Sequence, residues 1–177
     1  PNVIIQKNTI IQDNVSIANS IIGQNSIIQS GCRIGGSGFG FDPESKKRIY
    51  HYGNVLIEDN CNMGSNTTID RAVFESTIIG SNSYLDNLIQ IAHNVEIGKN
   101  AIIAAQVGIA GSTKIGNNVK IGGQAGIGGH LKIGNDVTIA AKSGVTKNIS
   151  DNKIVAGFPA KDIKKWKHDI IKLNKLK

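Results

Sequence analysis

The sequence predicts an all-β protein, a solenoid of hexapeptide repeats closed by a C-terminal α-helix. Three observations predict it. An aliphatic residue recurs every six positions over a long stretch. Ile and Val dominate the 40% hydrophobic content and there are 21 glycines, while Leu is scarce and aromatics make up only 5%. The period stops shortly before a lysine-rich tail with helical spacing. Ile and Val suit strands and frequent Gly suits tight turns, whereas a helical bundle draws on Leu and Ala.

The repeat begins at once. Ile5, Ile11 and Ile17 are followed by Ile22, Ile28 and Ile34, with the step from Ile17 to Ile22 one residue short. Ile57, Met63 and Ile69 resume the series. From Ile79 it runs unbroken through Leu85, Ile91, Ile97, Ile103, Ile109, Ile115, Ile121, Ile127, Ile133 and Ile139 to Val145. Four positions after each aliphatic residue comes a second small or apolar one, as at Val95, Ala101 and Val107. An amphipathic helix repeats at three and four, and a simple strand alternates at two. A period of six with two inward positions fits short strands joined by turns, three to a coil of about 18 residues. Successive coils then stack at about the 4.8 Å strand spacing. Cys32 and Cys61 each follow an inward isoleucine by four, so both thiols are expected inside, as small hydrophobes of a reducing compartment rather than a disulfide.

Two segments break the period. Residues 35–54 (GGSGFGFDPESKKRIYHYGN) read as a loop ejected from the solenoid, and Asp70–Thr77 adds four residues to its hexapeptide. Excursions from a regular solenoid often build its binding face. Phe39 and Phe41 in the first loop are therefore candidates for substrate contact. After Gly157–Ala160, a turn-like GFPA, the tail carries Ile163, Trp166, Ile170 and Leu173 at helical spacing. The expected organisation is a repeat domain over 1–156 and a basic helical extension over 157–177.

The net charge of +7 is concentrated in lysines between Lys153 and Lys177. That balance suits an acidic protein partner or, at most, peripheral contact with an anionic membrane. Nucleic acid is not expected, because no helix-turn-helix, zinc-finger or RNP-type pattern is present. No apolar run approaches the ~20 residues needed to span a bilayer, and no signal-peptide pattern is visible.

The chemistry-bearing residues fall on the repeat. His93 lies two residues after Ile91 and His130 three after Ile127, two coils further on, so both are expected along one edge about 10 Å apart. Gly111 lies 18 residues after His93 and is expected to stack over it. A glycine there leaves its N–H open to stabilise an oxyanion, while His93 acts as general base and His130 supports it. Asp86 and Asn87, one hexapeptide earlier, lie on a different face and could orient His93 only across a contact between subunits. No metal is expected, since the histidines lack partners at ligand spacing. GGSGFG lacks the strand–helix unit of a dinucleotide site.

GSGFGF, NTTIDR, LDNLIQIAHNVEIG, GIAGSTKIG and IGGQAGIGGHLKI together resemble the UDP-3-O-(3-hydroxyacyl)glucosamine N-acyltransferase family over nearly the whole chain. The IAH element also occurs in the sister O-acyltransferases, whereas GFGF and TTIDR favour the N-acyl enzymes. The resemblance implies a left-handed parallel β-helix in a cytoplasmic homotrimer of a Gram-negative bacterium, with active sites in grooves between subunits. It implies transfer of an (R)-3-hydroxyacyl chain to the 2-amine of a UDP-glucosamine-type acceptor in lipid A biosynthesis. No cofactor is implied beyond the phosphopantetheine of the acyl carrier protein, whose acidity matches the basic tail. His93, His130 and Gly111 match the family's general base, second histidine and oxyanion donor. The family's N-terminal uridine-holding domain and early coils have no counterpart in this sequence, which implies a C-terminal part. Gly144, in a late coil, is a place where an acyl chain could end. Two other readings stand beside this one: another hexapeptide acyltransferase (the sister O-acyltransferase or an acetyl-CoA-dependent sugar N-acetyltransferase), and a non-catalytic scaffold.

Overall fold

A computed structural model describes residues 2–158 and 162–175. The chain winds as a left-handed parallel β-helix whose short strands form three parallel sheets of seven, eight and seven strands. The first face carries Ser76–Ile79, Glu96–Ile97 and Lys114–Ile115, and the second Tyr84–Leu85 and Ile102–Ile103. The third carries Arg33–Ser37, Thr68–Arg71, Gln90–Ile91, Gly108–Ile109, Gly126–Ile127 and Gly144–Val145.

Register follows directly from the hexapeptide. Ile79 pairs with Ile97, Ile97 with Ile115, and Ile115 with Ile133, so each face stacks its inward isoleucines in line. Most of the twelve largest fully buried side chains are these isoleucines. Each contributes about 1.5–3 kcal/mol by leaving water. The first coil is one residue short, with Ile5 opposite Ile22, and the last is shorter still, with Ile139 opposite Val155.

The corners explain the polar half of the repeat. One residue per corner takes a left-handed φ, and asparagine occupies most of these places, as at Asn100 (φ 59°) and Asn118 (φ 59°). Asn tolerates that region better than other residues with a Cβ. Between the first and second faces these side chains hydrogen-bond coil to coil: Asn60 donates to Asn82 at 3.2 Å, Asn100 to Asn118 at 2.9 Å and Asn118 to Asp136 at 3.0 Å.

Both thiols point inward, Cys32 fully buried and Cys61 1% exposed. Burial pushes the Cys61 thiol up to about 11 and also raises Cys32. The native state therefore keeps a proton that the unfolded chain loses. This contribution to stability is complete below the ordinary thiol value of 9.0 and is lost as pH rises to about 11. A thiol-reactive dye at pH 8 is expected to label neither cysteine in the folded protein and both in guanidinium. Rapid labelling without denaturant would contradict the inward stacking.

The ejected segment is narrower than residues 35–54. Gly35, Gly36 and Ser37 remain in strand Arg33–Ser37, which pairs with Thr68–Arg71 across a bulge, and Asn54 already begins the next strand. Gly35 permits this with φ +82° and no Cβ, which would lie 1.6 Å from the Ala18 carbonyl oxygen. Residues 38–53 form a small hairpin, bridged antiparallel at Phe41 and Arg48. Its tip is an Asp42 turn in which the carboxylate accepts from the N–H and hydroxyl of Ser45, each at 2.6 Å. The second insertion occupies 72–75, where Ile57 pairs with Ile79.

The C-terminal helix Ile163–Asn174 begins behind Asp162, which accepts from the Lys164 N–H at 3.0 Å as an N-cap. Ile163, Ile171 and Leu173 are more than half exposed. Of the tail's apolar stripe, the Trp166 side chain lies outside the described residues, as do Pro159 and Ala160 of the GFPA turn. No helix among the described residues is long and apolar enough to cross a membrane.

Candidate active site

Both insertions leave the solenoid at one corner, between the third and first faces, and His93 stands on that corner. Strand Gln90–Ile91 ends, Ala92 and His93 follow, and Asn94 (φ 58°) turns the chain into Glu96–Ile97. One coil on, Gly111 takes the place of His93: the Ser112 N–H donates to the His93 carbonyl at 3.0 Å. A Cβ on Gly111 would lie 2.7 Å from His93 Nε2 and 2.8 Å from Cε1. The imidazole thus lies against the Gly111 backbone, which only glycine allows. Among the described residues the Gly111 N–H has no acceptor, although Ala110 donates to Ile127 and Ser112 to His93.

The orientation of His93 is set within the chain. Asn94 Oδ1 accepts from the Val73 N–H at 2.9 Å, so it is the oxygen that faces His93 Nδ1 at 3.2 Å. In the neutral ring Nδ1 therefore carries the proton and the lone pair falls on Nε2, on the Gly111 side. The Val73 N–H comes from the four-residue insertion. The insertion also accepts from the Tyr52 N–H at 2.8 Å and the Asn54 N–H at 3.0 Å, bracing the hairpin. Substituting Asn94 by glycine keeps the left-handed corner but removes the acceptor. A hydrogen bond between neutral groups is worth about 1 kcal/mol, so kcat is expected to fall on the order of tenfold, and because the Val73 N–H also loses its acceptor the thermal midpoint should drop by about 2–4 °C. An unaltered kcat would show that Asn94 does not select the tautomer.

The hairpin folds back over His93. Gly38 is so close that a Cβ would lie 3.0 Å from both His93 Cβ and His51 Nε2. His51 packs edge-to-face on His93 at 5.1 Å between ring centroids. His51 is 1% exposed, and neither ring nitrogen has a hydrogen-bond partner among the described residues. Burial first, then the neighbouring His93, holds it below the ordinary histidine range, so His51 is neutral near pH 7. Asp70 is half-buried on the adjoining strand and accepts from Gln90 Nε2 at 3.0 Å. Burial raises its carboxyl above the usual range, partly offset by His93 and the Gln90 amide.

The other residues singled out from sequence fall in three places. Phe39 and Phe41 rise from the hairpin, 85% and 48% exposed, edge-to-face at 5.2 Å. His130 is on the His93 corner two coils on, but one residue out of line. Its N–H donates to the Gly111 carbonyl at 3.0 Å, and Gly129 stacks above Gly111. Asp86 and Asn87 occupy the corner between the second and third faces, where Asn87 Oδ1 caps the Ser65 N–H at 2.7 Å. Within the chain they do not meet His93.

Beside the corner, the outward line of the third face runs Gln90, Gly108, Gly126, Gly144 in register. With Ala92, Ala110, Gly128 and Thr146 it lines an open, apolar trough of about 480 Å³. A larger trough, about 600 Å³, lies against Gln24, Glu58, Asp59 and Lys99, away from the histidines, and offers no nucleophile–base pair. Among the described residues no group of three or more His, Cys, Asp or Glu side chains could hold a metal.

Sequence reading overlooked His51, Asn94 and Asp70. Asn94 had a signal, since it follows the histidine at a corner place. Asp70 lies in the TTIDR element but at no inward place, and His51 had no signal because a hairpin has no repeat register.

The bacterial transferase hexapeptide model (six repeats) matches residues 76–111 and 112–147, and the hexapeptide repeat of succinyl-transferase matches 54–87. Together these span more than half of the chain. Over 72 residues the chain is 54% identical to the UDP-3-O-acylglucosamine N-acyltransferase of Porphyromonas gingivalis, a match covering 40% of this chain and 21% of that relative. The crystal structure of a UDP-N-acetylglucosamine acyltransferase shares the fold at TM-score 0.76 and 22% identity, over 88% of this chain and 60% of that one. The UDP-N-acetylglucosamine O-acyltransferase of Moraxella catarrhalis aligns at TM-score 0.61 and 26% identity, over 96% and 76%.

Proposed function

We propose that the chain, which matches hexapeptide-repeat transferase models over residues 54–147, performs the acyl transfer of a UDP-3-O-acylglucosamine N-acyltransferase in lipid A biosynthesis. An (R)-3-hydroxyacyl chain passes from the phosphopantetheine of acyl carrier protein to the 2-amine of the UDP-linked sugar. The observation that carries this reading is His93 Nε2, turned by the Asn94 contact at Nδ1 toward the backbone of Gly111, whose N–H has no acceptor among the described residues.

The mechanism follows from that pair. The amine attacks the thioester carbonyl, the Gly111 N–H receives the developing oxyanion, and His93 Nε2 takes a proton from the attacking nitrogen. The imidazolium then gives this proton to the departing sulfur. The glycine trough suits the acyl chain, because Cβ atoms on Gly108, Gly126 and Gly144 would meet nothing within 4 Å and a chain can lie flat there, its end near Gly144. Phe39 and Phe41 offer aromatic surface to the acceptor. In a homotrimer, Tyr84, Leu88 and Ile102, all more than half exposed, supply apolar area near the Asp86–Asn87 corner, which then faces a neighbour's His93. His130 borders that cleft. The lysines of the tail meet the acidic carrier protein, and such an enzyme works in the cytoplasm.

Mass spectrometry tests the proposal on the product of the complete reading frame encoding this chain, given 3-hydroxyacyl carrier protein. Acylation of the UDP-linked amine is expected. Acylation only of a hydroxyl-bearing UDP-sugar would instead support the sister O-acyl reaction, use of acetyl-CoA a sugar N-acetyltransferase, and no transfer at all a scaffold.

A further inference from the structure

Asp70 is a half-buried carboxylate without a counter-charge. Among the described residues no lysine or arginine pairs with it, whereas Lys114 and Glu96 form an ion pair on another face. Its neighbour Arg71 turns to Ser37, donating to Oγ at 3.1 Å. The single side-chain hydrogen bond to Asp70 comes from the neutral amide of Gln90. Opposite Asp70 in the ladder stands Gly36, where a Cβ would meet nothing within 4 Å, so open space adjoins the carboxylate. A carboxylate partly withdrawn from water and left unpaired is costly, and the ladder sets Asp70 level with Ala92, next to His93, whose charge acts on it. The occupant that fits this place is a cation that must sit beside His93.

We propose that Asp70 receives the acceptor's amino group as an ammonium ion and sets it beside His93, and so selects amine over hydroxyl acceptors. This rests on the amine-acylation reading above. The proton balance gives Asp70 a defined task. An ammonium has no lone pair, so one proton must leave nitrogen before attack; the Asp70 carboxylate takes it and passes it to solvent. Nitrogen then attacks the thioester carbonyl, its second proton goes to His93 Nε2, and from there to the thiolate as the carbon–sulfur bond breaks. The products are the amide, the thiol and one proton released. The raised Asp70 carboxyl is a stronger proton acceptor than an ordinary carboxylate. A hydroxyl acceptor brings no positive charge and would leave Asp70 unpaired. The other charged or titratable groups around this place are Arg71 on its own strand, Arg33 one coil below, and His51 behind His93.

The test is Asp70→Asn, assayed from below to above the acceptor amine's own pKa. In the wild type the acceptor KM is expected to stay level as the amine protonates. In Asp70→Asn only the neutral amine is usable, so KM should rise by roughly tenfold per pH unit below that pKa and approach the wild-type value above it. The 2-hydroxy analogue of the acceptor should bind the variant no worse than the wild type. A KM raised by one factor at every pH, or an equal loss for the hydroxyl analogue, would reduce Asp70 to a structural role. Calorimetry of acceptor binding to the wild type, in two buffers of different ionisation enthalpy, keeps the question open to a decision should the variant misfold. No proton release below the amine pKa supports the proposal, and release of a proton there overturns it. A wild type that turns over the amine while failing these tests refutes this inference alone, whereas a wild type inert toward amines refutes the acyl-transfer reading with it.

Discussion

Replacing His93 with alanine is expected to lower kcat by about 10²–10⁴-fold, the range that general-base catalysis contributes, while the protein still folds. The base has no understudy. His51 is the other imidazole in contact, but its nitrogens are enclosed, and burial and His93 oppose its protonation. His130 is on the same corner but one residue out of register with the Gly111 N–H. The structural cost is small because His93 is half-buried and contributes no inward stacking residue; a loss near 1 kcal/mol moves the thermal midpoint by about 2–4 °C in a chain of this size. Single-turnover mass spectrometry and a thermal melt decide it together. Full turnover in a folded His93→Ala protein would remove the assigned base.

Substituting alanine at Gly111 is expected to lose about 10²-fold in kcat, although only a methyl group is added. That methyl would stand 2.7 Å from Nε2, so the imidazole must swing away from the N–H it serves. A displacement of about 1 Å between reacting groups costs roughly this much. The fold should not object, since Gly111 has no positive φ. Gly123→Ala is the control. It occupies the equivalent place at another corner, where the coils below and above carry Ala105 and Ala141, and its Cβ would meet nothing nearer than the Ala105 carbonyl at 3.2 Å. Gly123→Ala adds the same methyl without meeting an imidazole of its own chain, so its loss of activity should be far smaller than that of Gly111→Ala. Equal activity in the two variants would mean that His93 does not work against Gly111.

These residues also show how far the sequence could be read. The period of six gave the coil and its phase, and hence the stacking of Gly111 on His93, because strand register in a solenoid is arithmetic along the chain. The same arithmetic put Asp86 and Asn87 on a different corner, where they are. It located the two insertions but set the first too wide, because Gly36 and Ser37 lengthen a strand by pairing with residues 70 and 71, just before the other insertion, a pairing across a bulge that no period encodes.

By itself the sequence determined the coil and its inward face, since burying an aliphatic residue every sixth position admits one coil length and one phase; the left hand came only with the family resemblance. The tertiary structure alone decided what surrounds His93. The Val73 N–H that fixes Asn94, the ring of His51 and the unpaired carboxylate of Asp70 reach His93 from three separate segments. Their approach depends on how two aperiodic loops fold back over one corner, through side-chain packing and single hydrogen bonds whose partners lie outside the repeat.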